Sequence, residues 1–126
     1  MAVDLFNLLN AMPYYFEEAR RFAECEAYCR EMLTIFDFND DDIQDVWGHI
    51  GYDLDRQGRT EERDALFAKH EMTAVMAAYY SMCFLERRDA DRAEEILAPF
   101  KDSDNNLIEA RLAWLEEIRR GWEEDQ

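Results

Sequence analysis

Punctuation is what this chain lacks. Four Gly and two Pro are spread over 126 residues, too few for the turns of a hairpin-rich β fold. Between them, apolar residues recur at three- and four-residue spacing, the period of an amphipathic helix. The pattern predicts an all-α fold of about six or seven helices joined by short polar segments. A chain of this length fits a single domain, 1–126, with one hydrophobic core that needs neither disulfides nor metals. Hydrophobic residues at 48% exclude a disordered chain.

The helices are placed by their apolar stripes and their stop signals. Residues 3–12 read as a short amphipathic helix, and Pro13 marks a break or the first turn of a new one. From Tyr14 to Phe36 one long helix is predicted, with Tyr15, Ala19, Phe22, Cys29, Leu33 and Phe36 near one stripe. These N-terminal helices fill 1–36. Asp37 to Asp42 forms an acidic joint, in which Asp40, Asp41 or Asp42 caps the next helix. That helix runs from about Ile43 to Arg56 and stops at Gly58. Thr60 opens another. Around His70 to Thr73 the chain either breaks, with Thr73 as a cap, or continues as one helix. Residues 74–87 are apolar nearly all round, which makes them the central, most buried helix. Asp89 to Asp91 starts the next helix, 101–106 is a second polar joint, and 107–122 is the last helix.

Two stretches align at a shift of 30 residues: 56–67, around Gly58 and Thr60, over 86–97, around Arg88 and Ala90. Each is a helix end, a tight turn and a new amphipathic helix. Upstream, Ile50 matches Tyr80 and Leu54 matches Phe84, and a third copy of the first helix falls at 104–118. This pattern resembles the tetratricopeptide repeat. Trp47, Ile50, Gly51 and Leu54 stand where that motif has its Trp, Leu, Gly and Tyr, with Gly58 at its turn and Phe67 at the aromatic of its second helix. Ala93 takes the small position of the next unit, whereas Arg63 occupies that position in the first. The resemblance implies antiparallel hairpins over 43–122, stacked as a short array with a C-terminal capping helix. It also implies a concave groove, lined by Tyr52, Asp55, Ala78, Met82, Ile108 and Leu112, that holds a peptide or helix of a partner. In size and acidity the chain is similar to the small tetratricopeptide chaperones of bacterial secretion systems.

Charge bounds the partners. Thirty Asp and Glu face fourteen Lys and Arg, a net charge of -16. Such a surface repels nucleic-acid phosphates and anionic membranes and attracts basic proteins. The first expectation is therefore a non-catalytic chaperone or adaptor that binds another protein. The alternative is an acidic inhibitor, of the immunity, phage anti-defence or nucleic-acid-mimic kind, that blocks a basic, nucleic-acid-binding target. For that alternative the surface acids to watch are Asp40, Asp41, Asp42, Asp45, Glu61, Glu62, Glu116 and Glu117. A homo-oligomer packed through the apolar helix is a further expectation.

No catalytic constellation stands out. There is no Gly-rich phosphate loop, GxSxG or HExxH, so no enzyme and no cofactor is expected. Asp37, Asn39 and Asp41 have the first spacings of a calcium loop, but the sixth position is Asp42 and the twelfth is Gly48, so the loop fails. His49 and His70 read as packing or solvated residues. Cys25 and Cys29 share one helix face without a third ligand nearby in sequence, and with Cys83 they read as buried thiols rather than a metal site. The start, Met1-Ala2-Val3-Asp4, lacks the basic region of a signal peptide, and no apolar run reaches membrane-spanning length. A cytoplasmic protein is expected.

Overall fold

In a computed structural model, described over residues 11–124 with side chains through Gly121, the chain is all-α, and no strand occurs among the described residues. The predicted helix at 3–12 lies mostly outside that range. Residues 11–18 are helical (α1), so the chain is helical on both sides of Pro13. There follow α2 (Phe22–Ile35), α3 (Asp40–Arg56), α4 (Thr60–Lys69), α5 (Ala74–Leu85), α6 (Ala90–Leu97) with a 3₁₀ turn at Ala98–Phe100, and α7 (Asn106–Glu124). No helix among the described residues is long and apolar enough to cross a membrane.

The chain divides into two compact units, Met1–Leu66 and Phe67–Gln126. In the first, α2 packs against α3, so the acidic joint at 37–39 is the turn of a helical hairpin. In the second, α5 packs against both α6 and α7, which also meet each other. The helix expected to be central is therefore central to its own unit: Ala77, Ala78, Ser81 and Cys83 are fully buried. Around its end, Leu85 joins Ala90, Ala93, Leu115 and Ile118 in an apolar cluster flanked by Phe84 and Trp114. Phe67 stacks on Tyr80 at 4.4 Å between ring centroids, and the Arg92 guanidinium lies over Tyr80 and Phe84.

Three helix ends share one hydrogen-bond pattern. After α1, the Arg21 N–H donates to the Phe16 carbonyl at 2.8 Å and the Arg20 N–H to Glu17 at 3.0 Å. After α3, Arg59 donates to Leu54 and Gly58 to Asp55, both at 3.0 Å. After α5, Asp89 donates to Phe84 at 2.9 Å and Arg88 to Leu85 at 3.0 Å. These are Schellman closures, each with its pivot residue left-handed: Arg20 at φ 60°, Gly58 at 79° and Arg88 at 58°. The closure at Arg20 splits the single helix expected over 14–36 into α1 and α2. The sequence gives no Gly there to announce it.

Caps agree with the sequence at two places and correct it at a third. Thr73 Oγ1 accepts from the Met76 N–H, so the chain breaks before α5. Asp89 accepts from the Arg92 N–H at the start of α6. At α3 the cap is Asn39, whose Oδ1 accepts from the Asp42 N–H at 2.7 Å, while Asp40, Asp41 and Asp42 form the first turn and complement the helix dipole.

Left-handed backbone costs a residue with a Cβ about 1 kcal/mol. Arg88→Gly is expected to stabilise the fold by about 1 kcal/mol in chemical denaturation. Gly58→Ala is expected to destabilise it by a similar amount, about 1 kcal/mol, through conformation alone, because a Cβ there meets nothing within 4 Å.

Candidate functional site

The residues expected to line a partner groove are largely interior. Tyr52 and Asp55 are buried on α3, and Ala78 and Ile108 are fully buried on α5 and α7. Met82 and Leu112 are half-buried. Asp55 is held by ion pairs: Arg63 reaches its Oδ1, and Arg56 Nη2 donates to Oδ2 at 2.7 Å. This explains the arginine that stands where the tetratricopeptide pattern needs a small residue. Arg63 is only 5% exposed because its charge is neutralised inside the unit by Asp55 and, at the edge, by Asp64.

Leu112 contributes to an open cleft within the second unit. The cleft, about 370 Å³, lies between α6 and α7 and is lined by Asp91, Glu94, Glu95, Ala98, Lys101, Leu112 and Leu115. Its floor is apolar and α6 supplies a wall of three carboxylates. Arg119 reaches across from α7 to Glu94 at 2.9 Å and to Asp91 at 3.4 Å. Arg92 pairs with Glu95 at 3.1 Å. These pairs are solvent-exposed, so each is worth little and exchanges readily for a cation from outside.

The acids expected to form a charged surface are dispersed over several helices. Asp40, Asp41 and Glu61 are exposed, Asp42 and Asp45 are half-buried, and Glu62 pairs with Arg59. Glu116 and Glu117 are exposed on α7, with Glu116 3.5 Å from Arg120.

The first unit also contains a buried polar cluster. Cys25 and Cys29, one turn apart on α2, are fully buried, as expected of them. The Cys25 thiol points at the Pro13 carbonyl and at Glu17 Oε2, both at 3.6 Å. Glu17 Oε2 lies 2.9 Å from Nδ1 of His49, itself buried against the edge of the Tyr14 ring. Asp53 on α3 completes the cluster: its carboxylate oxygen and the two sulfur atoms lie within 4.8 Å of one another. Asp53 is fully buried, and among the described residues neither of its oxygens has a hydrogen-bond partner. Leaving such a group unsatisfied costs about 1–3 kcal/mol. Burial pushes its carboxyl up to about 10, and the neighbouring Glu17 adds to the shift. The Cys25 thiol is pushed up as well, by its contact with Cys29 and then by burial.

Sequence reasoning passed over Glu17, Asp53 and the acidic wall of the cleft. A signal for Asp53 was present: it falls three residues after Ile50 and seven after Val46, on the apolar stripe of α3. An acid on a buried stripe is the informative exception. No family model, no curated protein and no solved structure matches the chain.

Two outcomes follow. Arg63→Ala removes the buried one of the two guanidinium partners of Asp55, leaving Arg56, and is expected to cost about 1.5–3 kcal/mol in urea denaturation. For Asp53, the folded carboxyl keeps its proton above the pH at which the unfolded one loses it. The native state therefore binds more protons, and stability falls as pH rises toward the folded value of about 10. In chelator-containing buffer, this contribution to wild-type stability is expected to decline from about pH 4, the unfolded carboxyl's range, up to about pH 10. Asp53→Asn is expected to flatten that slope and to gain about 1 kcal/mol or more at neutral pH.

Proposed function

We propose that the protein is a non-catalytic binding module, an acidic chaperone or adaptor that takes up a basic, partly apolar segment of another protein. The observation that supports this reading is the α6–α7 cleft, where the apolar floor of Ala98, Leu112 and Leu115 lies beside the carboxylates of Asp91, Glu94 and Glu95. An apolar side chain of the partner fills the floor, and a neighbouring Lys or Arg takes over carboxylates now shared with Arg92 and Arg119. Burial supplies the affinity and charge supplies orientation and rate. Tetratricopeptide-like stacking of the hairpins belongs to the same reading. So does a reducing cytoplasm, which suits three buried free cysteines.

A second reading, an acidic inhibitor of a basic target, is favoured by the first unit. Residues 1–66 hold sixteen Asp and Glu against six Lys and Arg, a net charge of -10, and the first turn of α3 presents Asp40 and Asp41 to solvent. It predicts binding through charge with little apolar contact.

Selection from a random peptide library separates the two. Under the first reading, enriched peptides pair an apolar residue with Lys or Arg, and their resonance shifts map to α6 and α7. Leu112→Asp then weakens them at least about tenfold, a loss of about 1.4 kcal/mol. About 1 M salt, with a Debye length of about 3 Å, weakens them only in part. Peptides that ignore Leu112→Asp but are lost on Asp40→Asn/Asp41→Asn or in salt support the inhibitor and overturn the cleft.

A further inference from the structure

The buried cluster of the first unit has the composition of a metal site. We propose that Cys25, Cys29 and Asp53 bind a thiophilic divalent cation of the zinc class, with the neighbouring Glu17 drawn in as the fourth ligand of a tetrahedron. The site is independent of the α6–α7 cleft and does not rest on the proposed function.

Three observations carry it. The two sulfur atoms and the Asp53 oxygen already lie within 4.8 Å of one another. Zinc–ligand bonds of about 2.0–2.3 Å place the donors of a tetrahedron about 3.5 Å apart, so small side-chain rotations close the set. Second, Asp53 is fully buried, with both oxygens unpartnered among the described residues. A cation gives that carboxylate the partner it otherwise lacks, which a purely structural cluster of thiols does not require. Third, a further carboxylate borders the set on the Cys25 side. Glu17 Oε2 is 3.6 Å from Cys25 Sγ, a ligand-to-ligand spacing, and His49 Nδ1 stands 2.9 Å behind it. An imidazole behind a ligating carboxylate fixes its direction, as outer partners do around bound metals.

The donor chemistry selects the metal. Two thiolates favour zinc, cadmium or cobalt over magnesium or calcium, which take oxygen ligands. Once Glu17 is drawn in, four protein donors leave no open position and describe a structural site, one that joins α1, α2 and α3. The side chain of Glu17 is 11% exposed while that of His49 is 1%, so access lies on the Glu17 side.

The test is a titration of the full, reduced, metal-free chain with Co²⁺, followed by Zn²⁺ displacement. The expected result is one equivalent bound, with the intense visible bands of tetrahedral cobalt and a thiolate charge-transfer band in the ultraviolet. Cys25→Ser and Asp53→Asn are expected to lose more than about 100-fold in affinity, and His49→Ala about 10- to 100-fold. Cys83→Ser, outside the site, is expected to change nothing. Wild-type protein that is folded by circular dichroism yet gives no tetrahedral cobalt spectrum overturns the proposal without recourse to any variant. So does a spectrum that survives Cys25→Ser/Cys29→Ser, or a weak octahedral one from carboxylates alone.

Discussion

The packing of the first unit is governed by what it does with charge inside α3. Asp53 and Asp55, two residues apart, are both buried, and a helix carries residues so spaced on different sides. On one side Asp55 is answered by Arg56 and Arg63. On the other Asp53 faces Cys25, Cys29 and Glu17, none of which is a cation. One helix thus holds a neutralised acid and an orphaned one. The neutralised acid ties α3 to the first turns of α4. The orphaned acid forces a choice between holding a proton, at a cost to stability at neutral pH, and holding a cation.

What was legible in the sequence, and what was not, follows the same division between local and tertiary causes. Thr73, Asp89 and Gly58 act through hydrogen bonds or backbone freedom within a few residues, and each marks a helix boundary where its residue type says it should. The uniform apolarity of residues 74–85 is likewise enough to make α5 the helix that both α6 and α7 cover. The break at Arg20 was not legible, because a left-handed Arg looks like any other surface residue on a helical stripe. Asn39 was passed over for its acidic neighbours because a cap is decided by one backbone angle, which three consecutive Asp residues do not reveal. Of the residues expected to line a groove, Asp55, Ala78 and Ile108 are buried for a tertiary reason, while Met82 and Leu112 stay half-buried. Asp55 and Arg63 spend their charges on each other, and Ala78 and Ile108 are closed over by their own unit.

The shift of 30 residues has a physical content that is narrower than a repeat family. Gly58 and Arg88 occupy equivalent positions in the alignment and identical roles in the backbone, each closing a helix with the same pair of hydrogen bonds and a left-handed pivot. Thr60 and Ala90 then start the next helix two residues later in both cases. Sequence similarity therefore tracked a joint. It did not track the packing around the joint: Arg63 is buried as half of an ion pair, whereas Ala93 at the aligned position sits in an apolar cluster. The same turn can serve a polar interior and an apolar one because its geometry is paid for locally.

The same separation of surface from interior divides the acids of the chain. Most of the acids spread over exposed helix faces, where water screens them and nearby Arg residues pair with them. Those that differ in kind are the few removed from water. Asp53 is one of thirty acids, yet it is the side chain whose oxygens lack any hydrogen-bond partner among the described residues. Desolvation makes a group's environment specific, since a buried carboxylate has few permissible partners while an exposed one has many. In a chain with a net charge of -16, the carboxylate with the most specific surroundings is therefore the one enclosed with two thiols, which contributes least to the surface field.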